Sequence, residues 1–409
     1  MTSFNLNDVA KQIASEHTII YCAGDFYEYR DGCYRLLPEE IILKWTKEIL
    51  KDNFIAHRAR EVIFSLKTDL FVEQDKLNKI NLLNLKNGLF DIKKGTLESH
   101  SPDIYSTIQL DVNYNSAAKC LKWQKTLDEI FERHQGKIGL LQEYFGLCLT
   151  QYTHYEKALI CIGEGANGKS TVLYVLFRAI GEDRNCSAVS LDMLRNSHYK
   201  AELYGKLVNI SIETRAKTEL SDDIFKAVVT GDPITADRKY KDPITFRPFC
   251  KLVFAFNEMP RVDDRTNAFY RRLLLLGFTK EFKEQEQNKN LKFELIEELD
   301  GIFLWALEGL KRLENRGYFA ISENMKLETE AIKRENNNTI DFVDECCVLG
   351  HSYGIQKQFL YARYSEWCER NGDNPLTKIM FGKEMVRQFK FLEEIKQECR
   401  YWLGVQLKK

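Results

Sequence analysis

The stretch Gly163-Glu-Gly-Ala-Asn-Gly168-Lys169-Ser170 constrains this chain more than any other. It fits G-x-x-x-x-G-K-[ST], follows the apolar run "KALICIG" and opens the amphipathic run "GKSTVLYVLFRAIG". A strand that feeds a glycine-rich turn into a helix is the context in which this pattern binds phosphate. The glycines let backbone N–H groups turn onto the phosphates, the lysine adds a point charge, and the serine hydroxyl reaches Mg²⁺. Gly163, Gly165, Asn167, Gly168, Lys169, Ser170 and Thr171 are the expected contacts to ATP.

Strands and helices keep alternating downstream. "KLVNISIE" reads as a strand, "SDDIFKAVVTG" as a helix and "CKLVFAFN" as a strand, which argues a mostly parallel sheet flanked by helices. Two of these strands close on polar residues. Glu213 ends "LVNISIET", where a carboxylate can face the phosphate loop across the sheet edge, and Asn257 ends "LVFAFNEMP". A hydrolase needs such a pair, an acid near the metal and attacking water and a polar reader of the γ-phosphate.

The flanks divide the 409 residues into an α/β multidomain chain. Residues 1–115 form a small α+β unit. "DFYEYRDGCYRLL" is a hairpin turning at Asp31-Gly32, further turns fall at Asn87-Gly88 and Lys94-Gly95, and Pro38 to Leu70 reads as helices. Residues 116–335 carry a helical lead-in and the ATPase core. After the polar stretch "RENNNT", read as a linker, residues 336–409 give two helices and a two-strand ending, the order expected of a winged helix.

Composition excludes more than it assigns. A formal net charge of -1 announces no nucleic-acid partner globally, so any basic surface must be local. From Tyr353 onward, 11 Lys/Arg stand against 7 Asp/Glu, and Lys378, Lys383, Arg387, Lys390 and Arg400 fall on or near the second helix and the wing. The eleven cysteines lack any C-x-x-C pair, which favours buried reduced thiols over zinc or disulfides. No apolar run approaches a membrane span, and the N-terminus lacks a signal pattern, so the expected location is the host-cell cytoplasm.

The motifs "GEGANGKST", "LVNISIET", "TGDPITADRKYKDPITFRP", "KLVFAFNEMPRV" and "NAFYRRLLLLGF" occur in one order at close spacing. As a set they resemble the AAA+ type ATPase core of superfamily 3 helicases. The likeness is to the phage/plasmid primase-helicase and poxvirus-type group, and it extends into the preceding domain and the C-terminal winged helix. The resemblance implies a replicative motor of a mobile element or virus: a homo-oligomeric, usually hexameric ring translocating 3′-to-5′ on single-stranded and forked DNA. Partners such as a primase, polymerase or initiator follow, and no membrane. It makes Lys169 and Ser170 the phosphate and Mg²⁺ contacts, Glu213 the acid that polarises water and shares the metal, and Asn257 the γ-phosphate sensor. Arg271 becomes a finger for the neighbouring subunit's site, with Arg272 as the alternate.

Many relatives carry a second acid after the position of Glu213, whereas this chain reads Glu213-Thr214-Arg215. Either Glu213 does both jobs or an acid from elsewhere assists. Superfamily 3 members also carry a pore hairpin between the acidic and sensor strands. "ITADRKYKDPITF" sits there, with Arg238, Lys239 and Lys241 for phosphates and Tyr240 for a base. A primase active site is not expected, because no acidic pair before Ser101 suggests one. An initiator or loader that melts DNA locally is the alternative reading; strand displacement on a fork separates the two.

Overall fold

The computed structural model describes residues 5–79, 81–212, 222–259, 267–335, 338–396 and 399–408. The chain forms two compact units, Met1–Met325 and Lys326–Lys409.

Five short strands build the central sheet of the first unit: β1 (Ala158–Ile162), β2 (Cys186–Ser187), β3 (Val208–Ile212), β4 (Lys251–Phe256) and β5 (Leu273–Gly277). Their order across the sheet is β5-β1-β4-β3-β2, and every neighbouring pair is parallel. Parallel strands buried on both faces read as near-continuous apolar runs. "ALICI" and "KLVFAF" do so, and all six residues of β4 are buried. The helix Lys169–Ile180 follows β1 directly, and its apolar face, including Val172, Leu173, Val175 and Leu176, is buried.

Two further helices back the sheet. Gln135–Cys148 and Leu299–Arg316 pack on one another through an aromatic cluster in which Trp305 meets Trp123 and Phe145 edge-on, at 5.5 and 5.7 Å between centroids. Tyr144, fully buried, ties this layer to the strands: its hydroxyl donates to the Leu252 carbonyl at 2.8 Å and accepts from the Leu159 amide at 3.2 Å. Beside it the buried Glu143 carboxylate accepts from Arg312 at 2.8 Å and from Arg316 at 2.5 Å. The strands Leu83–Leu85, Gly88–Asp91 and Thr96–Glu98 share this same core through Leu83, Leu85 and Phe90.

The N-terminal residues form their own small cores around the antiparallel strands Ile19–Cys22, Asp25–Arg30 and Cys33–Leu37 and the helices Leu6–Glu16, Glu39–Leu50 and Ala56–Asp69. The turn between the second and third strands falls at Asp31-Gly32, as its sequence indicates.

In the second unit, the helices Asn338–Cys346, Lys357–Arg370 and Lys378–Gln388 pack on a three-stranded antiparallel sheet. Arg400–Leu407 lies between Glu393–Lys396 and Cys347–Gln356. The sequence suggested only two of these strands. Cys347–Gln356 escapes because half of its residues are exposed, only one is buried, and a register shift between Leu349 and Gly354 breaks any alternation. The stretch Arg334–Thr339, read as a linker, is instead largely helical: Arg334 and Glu335 end the helix Glu323–Glu335, Asn338 and Thr339 begin Asn338–Cys346, and residues 336 and 337 lie outside the described residues.

Candidate nucleotide site and basic hairpin

The phosphate-loop motif sits where its chemistry requires, between the C-terminal end of β1 and the first turn of Lys169–Ile180. Two glycines make the turn possible. Gly163 has φ +153°, and a Cβ there would lie 2.2 Å from the Phe278 carbonyl oxygen. Gly168 caps the helix at φ +89°, with Ile130 2.6 Å from where its Cβ would be. Asn167, buried, donates its side-chain amide to the Phe278 carbonyl at 3.2 Å, pinning the loop to the segment after β5. The Lys169 ammonium curls back onto its own loop, bonding the carbonyls of Gly163 and Glu164 and the Asn167 side-chain oxygen. Burial lowers the Lys169 pKa from its ordinary value, the state of a cation whose anionic partner would restore it.

A cavity of about 770 Å³ opens above the loop, within the range of small-molecule sites. Glu164 to Thr171, Ile212 and Asn257 line it. Asn257 directly follows β4, whose Phe256 pairs with Ile162 of β1, so the sensor candidate and the phosphate loop leave adjacent strands at the same end. Ser170 is exposed in the first helical turn. Ile212 ends β3; Glu213, the next residue, lies outside the described residues, as does the Thr214-Arg215 pair after it.

Arg271 and Arg272 part company. Arg272 is buried, 3.5 Å from the Glu156 carboxylate. Arg271 is exposed, and its carbonyl accepts from the Lys157 ammonium. Both precede β5, at the end of the sheet opposite the phosphate loop, because Leu273 pairs with Ala158 and Gly277 with Ile162.

Arg238 to Lys241 occupy the loop of an antiparallel hairpin, Ile234–Ala236 with Ile244–Phe246. Tyr240 is 93% exposed at the tip, with the Lys239 ammonium 5.1 Å from its ring. Arg238 and Lys241 instead reach Asp25 in the N-terminal sheet, Arg238 at 3.2 Å.

In the second unit, Lys357, Lys378, Lys383 and Arg400 line a groove of about 680 Å³ floored by Trp402, with the Lys357 ammonium 3.9 Å from that ring. Glu394 holds Lys357 at 2.8 Å. Arg387 instead bonds Glu384 at 2.9 Å.

Three family profiles match successive parts of the chain. Residues 10–132 match "D5 N terminal like", residues 161–272 a family of unknown function (DUF5906), and residues 334–400 "Poxvirus D5 protein-like". Candidate helicase L207/L206 of Acanthamoeba polyphaga mimivirus is 28% identical over 230 residues, covering 52% of this chain and 23% of its own length. By these matches the chain is similar to D5-type viral proteins and to this viral helicase candidate. A second relative, candidate helicase 184R of Invertebrate iridescent virus 6, is 26% identical over 264 residues, covering 55% of this chain and 26% of its own. The chain thus spans about a quarter of the length of these relatives. Among solved structures, the C-terminal region of NrS-1 shares the fold at a TM-score of 0.58 and 14% identity, covering 98% of this chain and 100% of that one.

The motif reading found the loop side of the cavity and missed its other wall. Lys122, Lys125, Thr126 and Glu129 line it from the helix Leu121–Ile130, and Phe282, Asn288, Lys289 and Lys292 from the segment after β5. The helical members recur at spacings of three and four, which marks one face. That face is polar, so only the motif next to it could have singled it out. Nine of the eleven cysteines are buried, and burial raises the thiol pKa of several, to about 12 for Cys161. Among the described residues, no helix is long and apolar enough to cross a membrane.

Proposed function

We propose that this chain is the motor of an ATP-dependent replicative DNA helicase of superfamily 3, working as a homo-oligomeric, hexameric ring that translocates 3′-to-5′ on single-stranded DNA. One observation carries the reading. The phosphate loop and Asn257 line one cavity at the carboxyl end of a parallel sheet, while the exposed Arg271 stands at the other end of that sheet. The order β5-β1-β4-β3-β2 supports an AAA+ type core, and the helix-and-sheet order of the second unit supports a winged helix.

In this reading Lys169 and the loop amides grip the β- and γ-phosphates of ATP. Ser170, with Glu213, would hold Mg²⁺, which would supply charge neutralisation at the phosphates. Glu213 orients the attacking water, and Asn257 contacts the γ-phosphate. Arg271 cannot serve its own site. Leu273 to Gly277 alone is four steps of strand, about 13 Å at roughly 3.3 Å each, and Arg271 lies two residues before it, so its guanidinium belongs to a neighbour's cavity. Arg272, held by Glu156, positions the start of the strand. The hairpin loop contacts the DNA backbone, with Tyr240 available for a base.

ATP turnover with and without single-stranded DNA tests this. Turnover should rise with DNA and vanish in Lys169→Ala; turnover indifferent to DNA, or surviving in Lys169→Ala, contradicts the reading.

A further inference from the structure

The stem of the basic hairpin is fixed by the core. The Asp237 amide donates to the Ser197 hydroxyl at 3.0 Å, Thr235 and Thr245 share a hydrogen bond across the strands at 2.9 Å, and Phe246 packs edge-on against Tyr204 at 5.3 Å. Its loop is fixed by something else. Arg238 donates to the Ala23 carbonyl at 2.9 Å and to one Asp25 carboxylate oxygen at 3.2 Å, and the Lys241 ammonium takes the other oxygen. Gln74 also bonds the stem, donating to the Thr245 carbonyl at 3.4 Å.

A single carboxylate therefore spans both cations, one oxygen on each. A phosphodiester offers the same pattern, one negative charge over two non-bridging oxygens, and Arg and Lys bind either anion through the same charge-assisted bonds. The setting is half-dry. Asp25 and Arg238 side chains are 17% and 18% exposed, and burial pushes the nearby Tyr204 hydroxyl up to about 12. Lys241, 44% exposed, leaves the pair open on one side. An entering phosphate would exchange with Asp25 charge for charge, so the cations stay paired throughout.

We infer that Arg238 and Lys241 form a two-cation phosphate site on the hairpin loop, and that Asp25 occupies it as a competitor of single-stranded nucleic acid. The inference rests on the nucleic-acid reading above and adds a second role for the N-terminal sheet. Lys239 and Tyr240 make the first contact, and displacement of Asp25 then leaves the Ala23 carbonyl as the loop's remaining tie to the N-terminal sheet. Competition by an ion pair of this kind taxes affinity by about threefold to tenfold.

Binding of a fluorescent oligo-dT strand to the full chain, followed by anisotropy with a non-hydrolysable ATP analogue present, tests it. Asp25→Asn should bind threefold to tenfold more tightly than wild type, and adding Arg238→Gln and Lys241→Gln should erase that gain. Asp25→Ser, which keeps an acceptor at the turn, serves as the second variant should Asp25→Asn lose its cooperative melt. Wild-type binding with unchanged or weaker binding by the variants overturns the competition and leaves the motor reading standing. No binding by wild type or variants overturns both.

Discussion

Mixing two inactive variants isolates the role of Arg271. Alone, Arg271→Ala should keep nucleotide binding and lose hydrolysis by about 10³-fold, the usual worth of an arginine finger. Lys169→Ala should lose turnover at its own phosphate loop. The register of β5 on β1 puts Arg271 at the far end of the sheet from that loop, so in the proposed ring each working site takes Lys169 from one subunit and Arg271 from the next. In a random equimolar mixture, half the subunits carry an intact loop and half an intact finger. About a quarter of interfaces, one half times one half, then hold both, whatever the ring size. Steady-state phosphate release from the refolded or exchanged mixture should recover to about a quarter of wild type per subunit if sites fire independently. A mixture that stays as inactive as its components, while sedimentation shows mixed rings, would refute action in trans. Arg272→Ala tests the neighbour: losing its contact with Glu156 should lower the melting temperature more than it lowers turnover per folded molecule.

Two other perturbations probe the scaffold. Gly163→Ala forces a Cβ to within 2.2 Å of the Phe278 carbonyl; nucleotide affinity should fall at least about tenfold, and unchanged binding of a fluorescent ATP analogue would show the loop is not where the phosphates rest. Lys251 is fully buried, and burial lowers its pKa to about 8 from 10.5. Between those values the unfolded chain binds more protons than the folded one, so this group makes stability rise with pH across that window. Relative to Lys251→Met, wild-type unfolding free energy should therefore gain about 2 kcal/mol between pH 7.5 and 10. A flat difference would mean that the Lys251 ammonium, which bonds the Thr150 and Phe249 carbonyls, keeps an ordinary pKa.

Much of the sheet was legible because burial on both faces writes β1 and β4 as unbroken apolar runs, and the phosphate loop because its glycines are required by geometry. Asn257 was legible for a related reason: parallel strands place their carboxyl ends together. The family resemblance put Arg271 ahead of Arg272, but the different surroundings of the two were not legible, since adjacent residues of one type differ only in what packs on them: Glu156 holds Arg272 while Arg271 is exposed. Nor was Asp25, which meets its partners across 213 and 216 residues of chain. No local pattern marks an acid in a hairpin turn as the mate of a distant loop. The exposed strand Cys347–Gln356 lacked the alternation that reveals a half-buried one.

Strand displacement on a forked DNA tests the motor most directly. Wild-type chain with ATP and Mg²⁺ should release the labelled strand when the tracking strand carries a free 3′ tail, and Lys169→Ala should release none. Tail-independent release, or none from a wild-type chain that binds the fork and hydrolyses ATP, would contradict a translocating ring.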